Sequence, residues 1–246
     1  MHIILRAVAS FNERINETMA QNSTLKNLFP SGASIFYPVI EECQYPWDAL
    51  ARLEDFILEK IEELRCDPLA LGEEFVEISE GVFAARSARV AKSALIEPPC
   101  LIFPNAEIRH CAYLRGRVIV GRGSVVGNSS EVKGSVLFDH AALPHFNYVG
   151  DSILGMGAHL GAGAITSNLR LDKAEVTVRT DGKLIPTGRR KLGALVGDGA
   201  EIGCGSVLCP GSIIGSDAFV MPLCSVTGTV EPCERYSGRH GREEQA

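Results

Sequence analysis

The chain has 246 residues, 46% of them hydrophobic, and a formal net charge of -6. That length suits one domain, or one with a smaller companion, and the acidic balance speaks against a nucleic-acid-binding face, which is ordinarily basic. No run of 18 apolar residues is present, and residues 1–14 lack the basic start, apolar stretch and small-residue cleavage site of a signal peptide, so the sequence predicts a cytoplasmic protein with no membrane partner.

In chain order, residues 3–25 read as a helix, and Pro30-Ser31-Gly32 as a break. Residues 47–61 repeat apolar side chains at helical spacing, with Leu50, Leu53, Ile57 and Ile61 on one face and Asp48 as N-terminal cap or first-turn acid. Residues 1–80 are therefore expected to form a helical N-terminal region covering the open end of the next unit.

That unit is a repeat. From Val90 an aliphatic residue returns every six positions, through Ile96, Ile102, Ile108, Leu114, Val120, Val126 and Val132 to Phe138. The register slips by one near Val149, resumes at Leu154 and Leu160, and returns from Val196 through Ile202, Leu208, Ile214 and Val220 to Val226. Four residues after each sits something small or β-branched, such as Ala94, Ala106, Ala112 or Ser124. A period of six fits neither a helix nor a simple alternating strand. It fits a coil of flat faces and tight corners, three hexads to a turn, with each turn hydrogen-bonded to the next as parallel strands. The fold expected over residues 81–231 is an all-β solenoid.

Residues 166–195 interrupt the repeat, and Asp181-Gly182 between β-rich runs predicts a hairpin within that excursion. Residues 232–246 read as a polar tail. The eight cysteines include no C-x-x-C pair and are spread along the chain, which reads as free thiols in a reducing compartment.

Chemistry is concentrated where the register breaks. Residues 139–151 bring His145 and Tyr148 together, and Arg115 and Lys133 stand 18 residues apart, one full coil. The two cations therefore stack on adjacent coils, an arrangement suited to a phosphate. His145 lies about two faces beyond Lys133, and an imidazole there is a suitable base for an amine.

With these residues the chain resembles the left-handed β-helix hexapeptide acyltransferase family, in particular the acetyltransferase domain of bifunctional glucosamine-1-phosphate acetyltransferases and sugar-1-phosphate nucleotidylyltransferases. The block runs from about Val90 to Val230 and includes Asn168-Leu169-Arg170 and Thr187-Gly188-Arg189-Arg190-Lys191-Leu192-Gly193. The resemblance implies a left-handed coil, His145 as catalytic base, Arg115 and Lys133 on the sugar phosphate, and Tyr148 and Asn168 on the sugar. It implies that the Ala162 amide receives the acetyl carbonyl. Cys204 falls in a later coenzyme-binding coil where the family usually has Ser, and His159 stands where it has Asn. Arg189, Arg190 and Lys191 are expected to pair with the phosphates of coenzyme A.

The implied protein is a homotrimeric, acetyl-CoA-dependent N-acetyltransferase acting on a hexosamine 1-phosphate, needing no metal. The alternative is a non-catalytic sugar-phosphate or sugar-nucleotide binding protein. Nothing near the start resembles the glycine-rich loop of a nucleotidylyltransferase, so no such domain is expected; Tyr45-Pro46-Trp47-Asp48-Ala49-Leu50 resembles the segment near the end of one.

Overall fold

A computed structural model describes residues 27–238; the helix expected over 3–25 lies outside them. From Val82 onward, strands of two to four residues stack in three sheets of nine, eight and seven strands, the faces of a left-handed parallel β-helix. The nine-stranded face opens with an antiparallel pair, Phe75–Ser79 on Val82–Ala85, and is parallel thereafter.

Each face contributes one inward side chain per coil. On the seven-stranded face the column runs through Ile96, Leu114, Val132, Val149, Thr166, Leu208 and Val226. Thr166 is the polar exception: its hydroxyl accepts from the Gly150 amide at 3.1 Å and bonds the Ser152 hydroxyl at 2.9 Å.

The repeat slips near Val149, where the step to Leu154 is five residues, and it slips once more before that. Leu137, not Phe138, pairs with Val120 and Leu154 and points inside, so the step from Val132 is one residue short. Phe138 turns outward and packs on Phe29, ring centroids 4.9 Å apart. Both residues are apolar, and periodicity alone does not say which faces in.

The segment before the coils holds helix α1 (Tyr37–Glu41), a 3-10 turn (Pro46–Ala51) and helix α2 (Leu53–Cys66). Asp48 Oδ2 accepts the Tyr45 amide at 3.3 Å. Acids Glu54 and Asp55 open α2 and Arg65 closes it, signs that suit the helix dipole. Leu50, Leu53, Ile57 and Ile61 are all buried.

Of the described residues before the coils, the strand Phe75–Ser79 meets the start of the first coil, and the helical segment takes another place. It lies along the flank of the nine-stranded face, whose outward residues Leu101, Ile119, Val136, Ile153, Leu195 and Ile213 share one cluster with Trp47, Leu53, Ile57 and Ile61. A sheet apolar on both faces needs a second layer, and these helices supply it. Asp198 fastens the layer to the coil, accepting from the Ser31 amide at 2.8 Å and the Met156 amide at 2.7 Å. Trp47 is fully buried in the seam, so Trp47→Ala is expected to cost about 3–5 kcal/mol, read as a lowered midpoint in urea unfolding.

The excursion carries the hairpin Thr177–Thr180 and Lys183–Pro186. Its two turn residues, Asp181 and Gly182, have φ of 49° and 69°, as a two-residue type I′ turn requires. Val176 and Val178 bury the hairpin base against the same flank as the helices. Among the described residues no helix is long and apolar enough to cross a membrane.

Candidate functional site

His145 ends the strand Ala142–His145 on the eight-stranded face, in register with Asn128. Phe146, at φ 53°, and Asn147 turn the corner, and Tyr148–Gly150 begins the seven-stranded face. The imidazole is exposed.

Asn147 fixes that corner. It is 2% exposed, and its Oδ1 accepts the His145 amide at 3.1 Å. Its Nδ2 donates to the carbonyls of Gly161 at 2.8 Å and Ala164 at 3.2 Å on the next coil. One side chain thus holds the His145 corner against the corner that carries Ala162. Sequence reading gave Asn147 no role, although it is a polar residue set between His145 and Tyr148 at the break in register. Asn147→Ala removes the side-chain donor of the Ala164 carbonyl, one of two donors to the Gly161 carbonyl, and the acceptor of the His145 amide, with an expected cost of about 2–4 kcal/mol, measurable by thermal or denaturant unfolding.

The same edge continues through successive coils. The Phe146 amide donates to the Asn128 carbonyl at 2.9 Å, Gly163 to His145 at 3.0 Å, and Gly205 to Ala162 at 2.9 Å. Asn128, His145, Ala162 and Cys204 therefore form one column, each about 4.8 Å from the next. Among the described residues, the Ala162 amide donates to no group, so it is available to a ligand. His159, by contrast, sits within the eight-stranded face, its Nδ1 2.7 Å from Glu201 Oε2.

Beyond the corner, Tyr148 pairs in register with Glu131 and Ile165. Burial, then Glu131 and Asp151, push the phenol above its ordinary pKa against an opposing hydrogen bond from Asn168, so it stays neutral. Asn168 Nδ2 also donates to Asp151 Oδ2 at 2.6 Å. Arg115 and Lys133 lie on adjacent strands of this face, but their charged ends part. Arg115 Nη1 pairs with Glu131 Oε1 at 2.6 Å, while Lys133 Nζ turns to Asp151 Oδ2 at 3.3 Å.

Asp151, buried and at φ 47°, marks the far end of the face. It borders an open cleft of about 390 Å³ formed with Arg117, Lys133 and the segment from Gly188 to Lys191. The run Arg189–Lys191 is therefore gathered beside Lys133. The stems of the excursion dictate this. Leu169 bridges Lys191, the Leu192 amide donates to the Asn168 carbonyl at 3.0 Å, and the Gly193 amide to the Asp151 carbonyl at 2.9 Å. Arg117 and Asp151 escaped the sequence reading. Both occupy left-handed positions at one corner, φ 52° and 47°, one residue out of step with the face columns.

The family model of the GMPPB C-terminal domain matches residues 96–185. The bifunctional protein GlmU of Methanococcus maripaludis strain C5 is 34% identical over 187 residues, 76% of this chain and 44% of that protein. A bifunctional sugar-1-phosphate nucleotidylyltransferase/acetyltransferase of Sulfurisphaera tokodaii is 38% identical over 150 residues, 61% of this chain and 37% of that one. The chain thus spans less than half the length of these bifunctional relatives. The uncharacterized acetyltransferase YaiX of Escherichia coli K12 is 32% identical over 163 residues, 66% of this chain and 70% of that protein. This chain belongs to the hexapeptide-repeat acyltransferase family. Membership fits the left-handed coil.

Proposed function

We propose that this chain transfers the acetyl group of acetyl-CoA to the amine of a hexosamine 1-phosphate. The observation that carries the reading is the edge column: an exposed His145, one coil from an Ala162 amide that has no acceptor among the described residues. In this reading the amine nitrogen bonds to the thioester carbonyl carbon while His145 takes its proton. The Ala162 N–H holds the resulting oxyanion. The carbonyl then re-forms, the carbon–sulfur bond breaks, and the proton passes to the coenzyme sulfur. Cys204 lines the donor's path one coil further on. Tyr148 and Asn168, joined beside Asp151, orient the sugar, and Arg115 and Lys133 hold its phosphate. The acetyltransferase names of the Sulfurisphaera and Escherichia relatives support the reaction class.

The active form in this proposal is a homotrimer, because an open edge needs a neighbour to enclose a ligand. Phe146 and Leu223, 63% and 85% exposed at corner turns of this edge, suit such a contact. The eight cysteines are all free thiols, which suits a reducing, cytoplasmic setting.

The test is mass spectrometry of glucosamine 1-phosphate after incubation with acetyl-CoA and the protein. The expected result is a single added acetyl group on nitrogen. No acetylated product from any 2-amino hexose 1-phosphate, with binding of that sugar phosphate retained in calorimetry, would instead favour a non-catalytic sugar-phosphate binding protein.

A further inference from the structure

The cleft at Asp151 shares Lys133 with the phosphate seat proposed above, but Arg117, Arg189, Arg190 and Lys191 have no part in the acetyl transfer. Five cations line the cleft (Arg117, Lys133, Arg189, Arg190 and Lys191) against one carboxylate. That carboxylate, Asp151, is already engaged by Asn168 and Lys133. Arg117 reaches Asp151 and Glu54 only at 4.0 Å. Arg190 and Lys191 are exposed and have no ion-pair partner among the described residues. Arg189 is half-buried, and burial holds its guanidinium below the ordinary pKa in spite of Asp151 and Asp48 nearby. A partly dehydrated guanidinium binds an arriving oxyanion more strongly than a surface one. The chain as a whole carries a formal net charge of -6, so this positive field is local.

Position separates the cleft from the site of acetyl transfer. His145 and Asp151 stand at opposite corners of one face, six residues apart, a span of roughly 15–20 Å. In a 2-amino hexose 1-phosphate the amine and the phosphate are on adjacent ring carbons. With its amine at His145, such a sugar keeps its phosphate over the middle of the face, short of Arg189 and Lys191. The number of donors points further. Three guanidinium groups and two ammonium groups offer more hydrogen bonds than the three free oxygens of one phosphoryl group accept.

We propose that Arg117, Arg189, Arg190 and Lys191 form a binding site for a diphosphate group, beside Lys133 and beyond the place of the sugar's own 1-phosphate. The separation argument rests on His145 as the base of the proposed acetyl transfer. The binding itself does not, so the test reads it without acetyl-CoA.

Pyrophosphate is titrated calorimetrically, at low ionic strength, into the wild-type chain, the double variant Arg189→Gln/Lys191→Gln, and His145→Ala. Wild type and His145→Ala are expected to bind alike, and the double variant at least about tenfold more weakly, since it loses two charge-assisted contacts. Arg190→Gln, a substitution at an exposed position, provides a second variant with a weakened site should the double variant misfold. No pyrophosphate binding by the wild type, or equal binding by both cleft variants, overturns the proposal. So does a KM for glucosamine 1-phosphate that rises in the double variant as far as pyrophosphate affinity falls, because the cleft would then be the monophosphate's seat. Loss of acetyl transfer with pyrophosphate binding intact would count against the acetyltransferase reading alone.

Discussion

His145→Ala is expected to lower kcat/KM for acetyl transfer at least about a hundredfold, the usual worth of a general base, while leaving stability unchanged. His145 is exposed, and among the described residues no side-chain partner is lost with it. The main-chain hydrogen bonds of residue 145, to Asn147 Oδ1 and from the Gly163 amide, do not depend on the side chain. Thiol release from acetyl-CoA in the presence of glucosamine 1-phosphate measures the effect, and urea unfolding supplies the control. A loss under about tenfold would remove His145 as the base, and a loss matched by unfolding would make it structural.

Gly127→Ala should be the most damaging single methyl group in the coil. Gly127 lies in the strand Val125–Asn128, paired with Ala142–His145, and a Cβ there would overlap the carbonyl group of Pro144. Backbone on both sides leaves nothing to rotate away, so the two coils must part. The expected loss is about 3 kcal/mol or more, at the upper end of overpacking costs. Activity should fall beyond what stability explains, because Pro144 precedes His145 on the displaced strand. Gly157→Ala is the comparison: its Cβ would meet nothing within 4 Å, and only its φ of 67° opposes the change, a cost of about 1–2 kcal/mol. Urea midpoints and thiol-release rates of the two variants check both statements. Equal destabilisation by the two would contradict the close approach at Gly127.

The interior of this protein was legible because one inward residue per face recurs at a fixed interval, as from Val90 to Ile108 and Val126. The alignment of His145, Ala162 and Cys204 on one edge came from the resemblance and not from the period, since coils run to 17 as well as 18 residues and the excursion separates Ala162 from Cys204. The period failed at Leu137 and Phe138, where two adjacent apolar residues both found burial, one inside the coil and one against Phe29. The seat of the helical region was readable in principle. Apolar triplets such as Cys100-Leu101-Ile102 and Val118-Ile119-Val120 mark a face covered on both sides. Asn147, Arg117 and Asp151 were not readable, because their roles come from bonds between coils set by corner geometry. The destination of Arg189–Lys191 was equally hidden: the excursion's path is decided by the bonds of Leu169, Leu192 and Gly193 at its stems.

A crystal structure of the full chain with acetyl-CoA would test the central claim most directly. The account predicts the thioester at the corner of His145, its carbonyl oxygen on the Ala162 amide and the pantetheine arm running past Cys204. Acetyl-CoA seated on another face, with the edge of His145, Ala162 and Cys204 empty, would contradict it.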